Sequence, residues 1–161
     1  MISTNDVLRS LRYSLNISDA AVAEVFKVTQ VEVSLEQVAA WLAKEEDANF
    51  QICSHQMLAH FLDGLIIQRR GLPQGKAYEA PEKKIFVSNN MVLKKLRIAF
   101  ELQEDEMLAI LDSVGLSVSK HELGAIFRKE GHHNYRECGD QFLRNFLKGL
   151  TICLRGASKP S

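Results

Sequence analysis

The chain has 161 residues, 46% of them apolar, and its 20 Lys and Arg balance 20 Asp and Glu to a formal charge of zero. A chain of this size is one domain or two small ones, and its neutrality excludes a protein that coats nucleic acid or an anionic membrane by bulk charge, which needs a cationic excess. Cys53, Cys138 and Cys153 form no dense framework, the N-terminus lacks a basic region followed by an apolar run, and no apolar stretch nears the roughly 18 residues of a membrane span; the expectation is a reducing cytoplasm and no membrane.

Sliding the sequence against itself by 85 positions aligns 5–71 with 90–156 without a gap, and 21 of the 67 pairs are identical, where average composition supplies about 4. The chain is a duplication, and each copy reads as four helices. In the first helix, Val7, Leu8, Leu11 and Leu15, matched by Val92, Leu93, Leu96 and Phe100, set one apolar stripe on a helical period. The second, over 19–28 and 104–113, is clearest in copy two, where Met107, Ile110, Leu111 and Val114 fall at i, i+3, i+4 and i+7. The third, over 34–44 and 119–129, opens at Ser34 or Ser119, whose hydroxyl suits an N-cap. It buries Val38, Trp41 and Leu42, or Leu123, Ile126 and Phe127. The fourth is the longest, capped by Ser54 in one copy and by Asp140 after Gly139 in the other, with Leu58, Phe61, Leu62 and Leu65, or Leu143, Phe146, Leu147 and Leu150, facing inward. It ends at Gly71 or Gly156, since glycine tolerates the left-handed conformation that stops helices.

Between the copies, 72–88 contains Pro73, Gly75 and Pro81 and reads as a linker, with one short extended piece at 84–88. The fold class is therefore all-α: a tandem duplication of a four-helix unit, 1–71 and 89–156, joined by the linker 72–88 and followed by a tail, 157–161. A unit of this size buries too little surface to be secure alone, so the two copies are expected to pack together as a helical bundle about a pseudo-twofold axis.

The segment Gly131-His132-His133-Asn134-Tyr135-Arg136-Glu137-Cys138 holds zinc-ligand residue types. Adjacent histidines rarely converge on one metal, however, and no pair has C-x-x-C or H-x-x-x-H spacing, so a solvated loop ahead of a helix is the reading. Cys53 and Cys138 share a repeat position. A nucleophilic cysteine needs a base in reach, for which His132, His133 and His55 are the options; a small buried hydrophobe at a helix junction explains both cysteines as well. His55 and His60 stand about 140° apart on a helix, cannot chelate together, and are expected to be exposed or capping. No phosphate-binding loop, dinucleotide fingerprint, nucleophile elbow or zinc-protease motif occurs. No catalytic residue, cofactor or metal is assigned, and the expectation is a protein that is not an enzyme.

Charge sums to zero unevenly. Residues 1–71 carry 6 basic and 9 acidic side chains, a net of −3; residues 72–88 carry 3 and 2, a net of +1; residues 89–161 carry 11 and 9, a net of +2. Lys94, Lys95 and Arg97 cluster on the first helix of copy two, while Arg12 and Arg97, like Asn5 and Asn90, are identical across the repeat. Two readings stand: a phosphate-binding face, or an Arg that pairs with a carboxylate or a helix C-terminus in each copy. The second and third helices suggest a helix-turn-helix with Gly115 in the turn, but that register turns His121 and Gly124 inward, and copy one has Gln30 in place of the glycine. If nucleic acid is bound, the candidate contacts are Lys94, Lys95, Arg97, Lys120, Arg128 and Lys129.

The strings Asn90-Met91-Val92-Leu93-Lys94-Lys95-Leu96-Arg97-Ile98-Ala99 and Asn134-Tyr135-Arg136-Glu137-Cys138-Gly139-Asp140-Gln141-Phe142-Leu143-Arg144-Asn145-Phe146-Leu147-Lys148-Gly149-Leu150 resemble the bacterial YehS-like family, catalogued as domain of unknown function 1456. The resemblance runs over 5–156. It implies a small bacterial cytoplasmic protein built from a duplicated helical unit, and it brings no activity and no site residues. The functional expectation is a non-enzymatic helical interaction or regulatory module acting through a groove where the copies meet, with another protein or a second copy of the chain as partner. The alternative is a nucleic-acid-associated regulator using the basic helices of copy two.

Overall fold

The computed structural model of the chain describes residues 2–156; the expected tail at 157–161 lies outside them. Among the described residues the chain forms eight helices and no strand: α1 (Thr4–Leu15), α2 (Asp19–Val28), α3 (Leu35–Leu42) and α4 (His55–Arg70) in copy one, then α5 (Asn89–Ala99), α6 (Glu104–Asp112), α7 (Lys120–Ile126) and α8 (Asp140–Arg155) in copy two. Six of them start at a serine, Ser3, Ser18, Ser34, Ser54, Ser88 or Ser119, whose hydroxyl accepts the amide three residues on. Each such cap satisfies a donor that the helix itself leaves unpaired and is worth about 1 kcal/mol.

Within each copy one asparagine ties three segments together. Asn5, buried in the first turn of α1, donates from Nδ2 to the carbonyls of Trp41 (2.9 Å) and Gln51 (2.8 Å), and its Oδ1 accepts the Cys53 amide (3.1 Å). Asn90 repeats this at the equivalent positions, donating to Ile126 (3.0 Å) and Arg136 (2.9 Å) and accepting from Cys138 (2.8 Å). The residue before the asparagine adds a bond to the cysteine carbonyl in both copies, from Thr4 Oγ1 (2.5 Å) and Asn89 Nδ2 (3.0 Å). These bonds explain why the third helices stop short of the expected 44 and 129. The returning chain claims their last carbonyls: the Gln51 amide reaches Ala40 O (3.1 Å) and the Arg136 amide reaches Ala125 O (3.0 Å).

A second device recurs in both copies. At Gly64 and at Gly149 a Cβ would lie 2.4 Å from the carbonyl oxygen of Val25 or of Ile110, so only glycine lets α2 seat on α4 and α6 on α8 at this separation. The copies then join reciprocally, α1 against α8 and α4 against α5, as a pseudo-twofold relation requires. One apolar cluster runs through the whole molecule, from Val7, Leu8 and Leu11 through Phe26, Phe61 and Val87 to Leu93, Phe146 and Leu150. Each such side chain, fully withdrawn from water, contributes about 1.5–3 kcal/mol.

Four local expectations are corrected. Gly139, not Asp140, is the N-cap of α8; Asp140 is its first residue, with Oδ1 accepting from Asn89 Nδ2 (2.8 Å). Gly71 has positive φ (76°), but Gly156 ends α8 at φ −25°, outside the left-handed region. The piece 84–88 forms no strand, because the Ile85 amide closes a turn on Glu82 O and the Val87 amide is taken by His55 Nδ1. In the would-be helix-turn-helix, Gln30 (φ 65°) and Gly115 (φ 80°) share one left-handed geometry, yet the connections run over 29–34 and 113–119, longer than the 3–4 residues such a turn uses.

Removing the asparagine leaves two carbonyls and an amide unpaired beside the core. Asn5→Ala is expected to lower unfolding stability by about 3 kcal/mol, and Asn5→Asp to recover little of it because a carboxylate has no donor. Urea denaturation with an unchanged slope measures this, and a loss for Asn5→Ala below about 1 kcal/mol contradicts the role given to the side chain.

Candidate functional site

On α5, Val92 and Leu93 face the core, so the helical period carries Lys94 and Lys95 outward beside the end of α7. There a groove of about 710 Å³ runs between α5 and the segment that follows α7. Met91, Ile98, Ile126 and Phe127 supply its apolar surface; Lys94, Lys95, Arg128 and Lys129 supply its charge, with Glu130 and Tyr135 at the margin. Lys94, Arg128 and Lys129 are exposed, and their side chains make no ion pair among the described residues. Lys95 is bound to Asp63 of α4 (2.5 Å).

Four of the six sequence candidates thus meet in one place. The other two do not. The Arg97 guanidinium turns inward, donating from Nε to Leu102 O (3.1 Å) and lying 4.7 Å over the Phe127 ring, which fixes the α5–α6 connection. Its repeat mate Arg12 faces Asp19 at 3.5 Å. Lys120 sits at the opposite end of α7, 4.0 Å from Glu104.

The copies differ at two places because ion pairs fall differently on a shared backbone. In copy one, Arg9 holds the position of Lys94. It donates to Ala43 O (2.6 Å) and pairs with Asp6, spanning from α1 to the end of α3 where copy two has its groove. Copy two carries Lys94, Met91 and Arg128 at the positions of Arg9, Asp6 and Ala43, so that brace is lost and the groove stays open. At the joints between copies the contrast reverses. The α4/α5 joint is pinned by Lys95–Asp63, by Arg70 donating to Ile98 O (3.2 Å), and by Arg69 lying 4.3 Å over Phe100. Beside the α1/α8 joint a cleft of about 500 Å³ remains between Asp6, Ser10 and Tyr13 on one helix and Arg144, Lys148 and Thr151 on the other.

Sequence reasoning did not find Asp63 or Tyr78, whose partners lie on other segments, and it placed Arg9 as the counterpart of Lys94 without its bonds to Asp6 and Ala43. Arg144 and Lys148 were not singled out either; their i, i+4 spacing, which sets both on one face of α8, is the signal that could have found them.

The family model described as protein of unknown function (DUF1456) matches this chain twice, over 4–71 and 89–156. The chain belongs to this family. Each match opens at the first residue of α1 or α5 and closes just after α4 or α8. A relative from Escherichia coli (strain K12), uncharacterized protein YehS, is 46% identical over 147 residues, which cover 91% of this chain and 93% of the relative. No solved structure matches the chain. No helix among the described residues is long and apolar enough to cross a membrane.

The cysteines of this DUF1456 chain lie apart from the groove's cations. Cys53 and Cys138 are buried at the asparagine clamps, and burial pushes both thiols up to about 12, with Asp140 adding to the shift at Cys138. Neither is a thiolate at neutral pH, which fits a small buried hydrophobe and starves a nucleophile. His132 and His133 stack on each other at 4.6 Å, the Asn134 amide donates to His132 Nδ1 (3.0 Å), and no cluster of three metal-ligating side chains forms among the described residues. With Ellman's reagent at pH 8, one thiol per chain, the exposed Cys153, is expected to react in the native state and the other two only in denaturant; three fast thiols contradict the burial.

The two histidines of α4 part company. His55 is the first residue of α4, accepting the Val87 amide (3.1 Å) and stacking on Phe86. His60, expected to be exposed or capping, is buried at 5% exposure: its Nδ1 lies 3.2 Å from Thr29 Oγ1 and 3.4 Å from Tyr78 OH, and Tyr78 donates to Asp63 (2.9 Å). Burial lowers the His60 pKa against a smaller raising effect of Asp63, while burial and the bond to Asp63 keep the proton on Tyr78. With its folded pKa below the unfolded value of about 6.5, His60 favours folding fully above that pH, and the contribution falls as pH drops. Stability is expected to decline from pH 7 to 5.5, and His60→Asn, the side chain copy two carries here, to flatten that part of the profile. An identical profile in the variant contradicts this.

Proposed function

We propose that this protein is a non-enzymatic interaction module whose second repeat receives an acidic, amphipathic segment of a partner protein in the α5/α7 groove. What supports the reading is the composition of that groove: three unpaired cations, Lys94, Arg128 and Lys129, border apolar surface from Met91, Ile98, Ile126 and Phe127. Cations alone suit any polyanion. The apolar surface between them suits carboxylates spaced by aliphatic side chains, which gain burial as well as charge pairing. The three unpaired thiols fit a reducing cytoplasm as its setting.

A second reading, a nucleic-acid-associated regulator, draws on the same cations. It has less behind it: Lys120 and Arg97 stand outside the groove, and three free cations give a duplex contact only a shallow salt slope of about −2 to −3.

The test is titration of a labelled amphipathic Glu/Leu peptide, a single-stranded DNA and a duplex DNA at several salt concentrations. The peptide is expected to bind at low salt, at least tenfold tighter than either DNA, and to weaken at least tenfold with Lys94→Glu plus Lys129→Glu. Transplanting the brace of copy one, Met91→Asp plus Lys94→Arg, is expected to abolish binding while the fold keeps its stability. Absence of peptide binding at low salt contradicts the proposal, and DNA binding tighter than peptide binding favours the second reading.

A further inference from the structure

The pair that pins α4 to α5 is broken at the pseudo-equivalent α1/α8 joint. Under the repeat, Asp63 corresponds to Lys148 and Lys95 to Ser10. The cation therefore sits on the long helix of this joint, and the residue facing it carries no charge. Lys148 has no hydrogen bond or ion pair among the described residues, and the carboxylate in the cleft, Asp6, is held by Arg9. Arg144, one turn earlier on the same face of α8, lines the cleft too, with Asp140 a further turn back as its electrostatic neighbour.

The rest of the cleft is built unevenly. Thr151 is already tied to Leu147 O (2.9 Å) and to Ser14, whereas the Ser10 hydroxyl has no hydrogen-bond partner among the described residues. Leu147, Ile152 and the Tyr13 ring, 58% exposed and carrying the Arg155 guanidinium over one face at 4.4 Å, give an apolar side. The volume of about 500 Å³ falls among those of small-molecule sites, which combine apolar walls with a few converging polar groups.

We propose that the α1/α8 cleft binds a small phosphate monoester carrying an apolar or aromatic group. The phosphate takes the place that a carboxylate holds at the other joint: Lys148 and Arg144 face its charge and the Ser10 hydroxyl donates to it. The organic part lies against Tyr13, Leu147 and Ile152. Two cations on one helix face match a dianion better than a monocarboxylate, and the guanidinium can hold two phosphate oxygens at once. This site is independent of the α5/α7 groove.

The probe is phenyl phosphate, followed by NMR on the full chain, with benzoate as the carboxylate comparison. Phenyl phosphate is expected to shift the Ser10, Tyr13 and Lys148 signals saturably, and benzoate to bind at least tenfold more weakly. Lys148→Ala should weaken binding at least tenfold. Ser10→Asp, which sets a carboxylate opposite Lys148 as at the other joint, should abolish it without lowering the melting temperature, so that lost binding is not lost folding. Lys94→Glu, which alters the α5/α7 groove, should leave phenyl phosphate affinity unchanged, which separates this site from the groove. No saturable shift below 10 mM, unchanged affinity in Lys148→Ala and Ser10→Asp, or equal binding of benzoate overturns the proposal.

Discussion

The interaction on which the rest of the molecule depends is the asparagine clamp at the start of each repeat. A single amide, buried in copy one and half-buried in copy two, uses both hydrogens and its oxygen to hold the end of the third helix and the entry to the fourth against the first. The segment it organises carries no apolar stripe of its own, so periodicity alone leaves it without a place. Hydrogen bonding supplies one. The same bonds end α7 at Ile126 and draw Arg136 back across its last turn, which lays Arg128, Lys129 and Tyr135 along the flank of α5. The groove is therefore a consequence of the clamp, and its charge a consequence of which side chains copy two carries there.

Duplication gives one scaffold two chances at a surface, and this chain uses them differently. The buried devices are repeated: the clamp, the glycine against the carbonyl of the second helix, the cysteine beneath the clamp. The exposed ones diverge. A few substitutions at equivalent positions move ion pairs from one cleft to the other, so that Arg9 and Asp6 brace copy one while Lys95 and Asp63 pin the α4/α5 joint. The open spaces that result, α5/α7 and α1/α8, are lined by cations: Lys94 stands where copy one has the paired Arg9, Arg128 where it has Ala43, Arg144 where it has Ala59 and Lys148 where it has Asp63, while Lys129 repeats a lysine, Lys44. An overall charge of zero hides this, because each neutralised pair on one side leaves its unpaired relative on the other.

Much of the fold was legible because burial writes itself into spacing. The repeat, the apolar stripes and the caps at Ser34, Ser54 and Ser119 are local patterns, and the helices stand where those patterns put them, except that the third helices end early. What the sequence did not reveal depends on partners far along the chain. Asn5 and Asn90 were visible only as an identical polar pair, since their acceptors lie 36 to 46 residues away. His60 looked like a surface residue until Thr29 and Tyr78 enclosed it. For the site, Lys94, Lys95, Arg128 and Lys129 could be named as cations but not as neighbours, and Arg97 could not be set apart from them, because the carbonyl it serves lies past the end of its own helix. The cap of α8 shifted by one residue for the same reason: Asn89 holds Asp140 from across the fold.

The most direct measurement is native-state hydrogen exchange at the Cys53 and Cys138 amides, which the clamp oxygens accept. Both precede a helix, where loop amides ordinarily open locally and exchange fast. If the clamps are what hold each repeat together, both amides will exchange only through global unfolding, with protection equal to that of core amides such as those of Leu11 and Leu96. Exchange at one or both through local opening, several kcal/mol below the global value, would show that these segments are held by something else and would contradict the account.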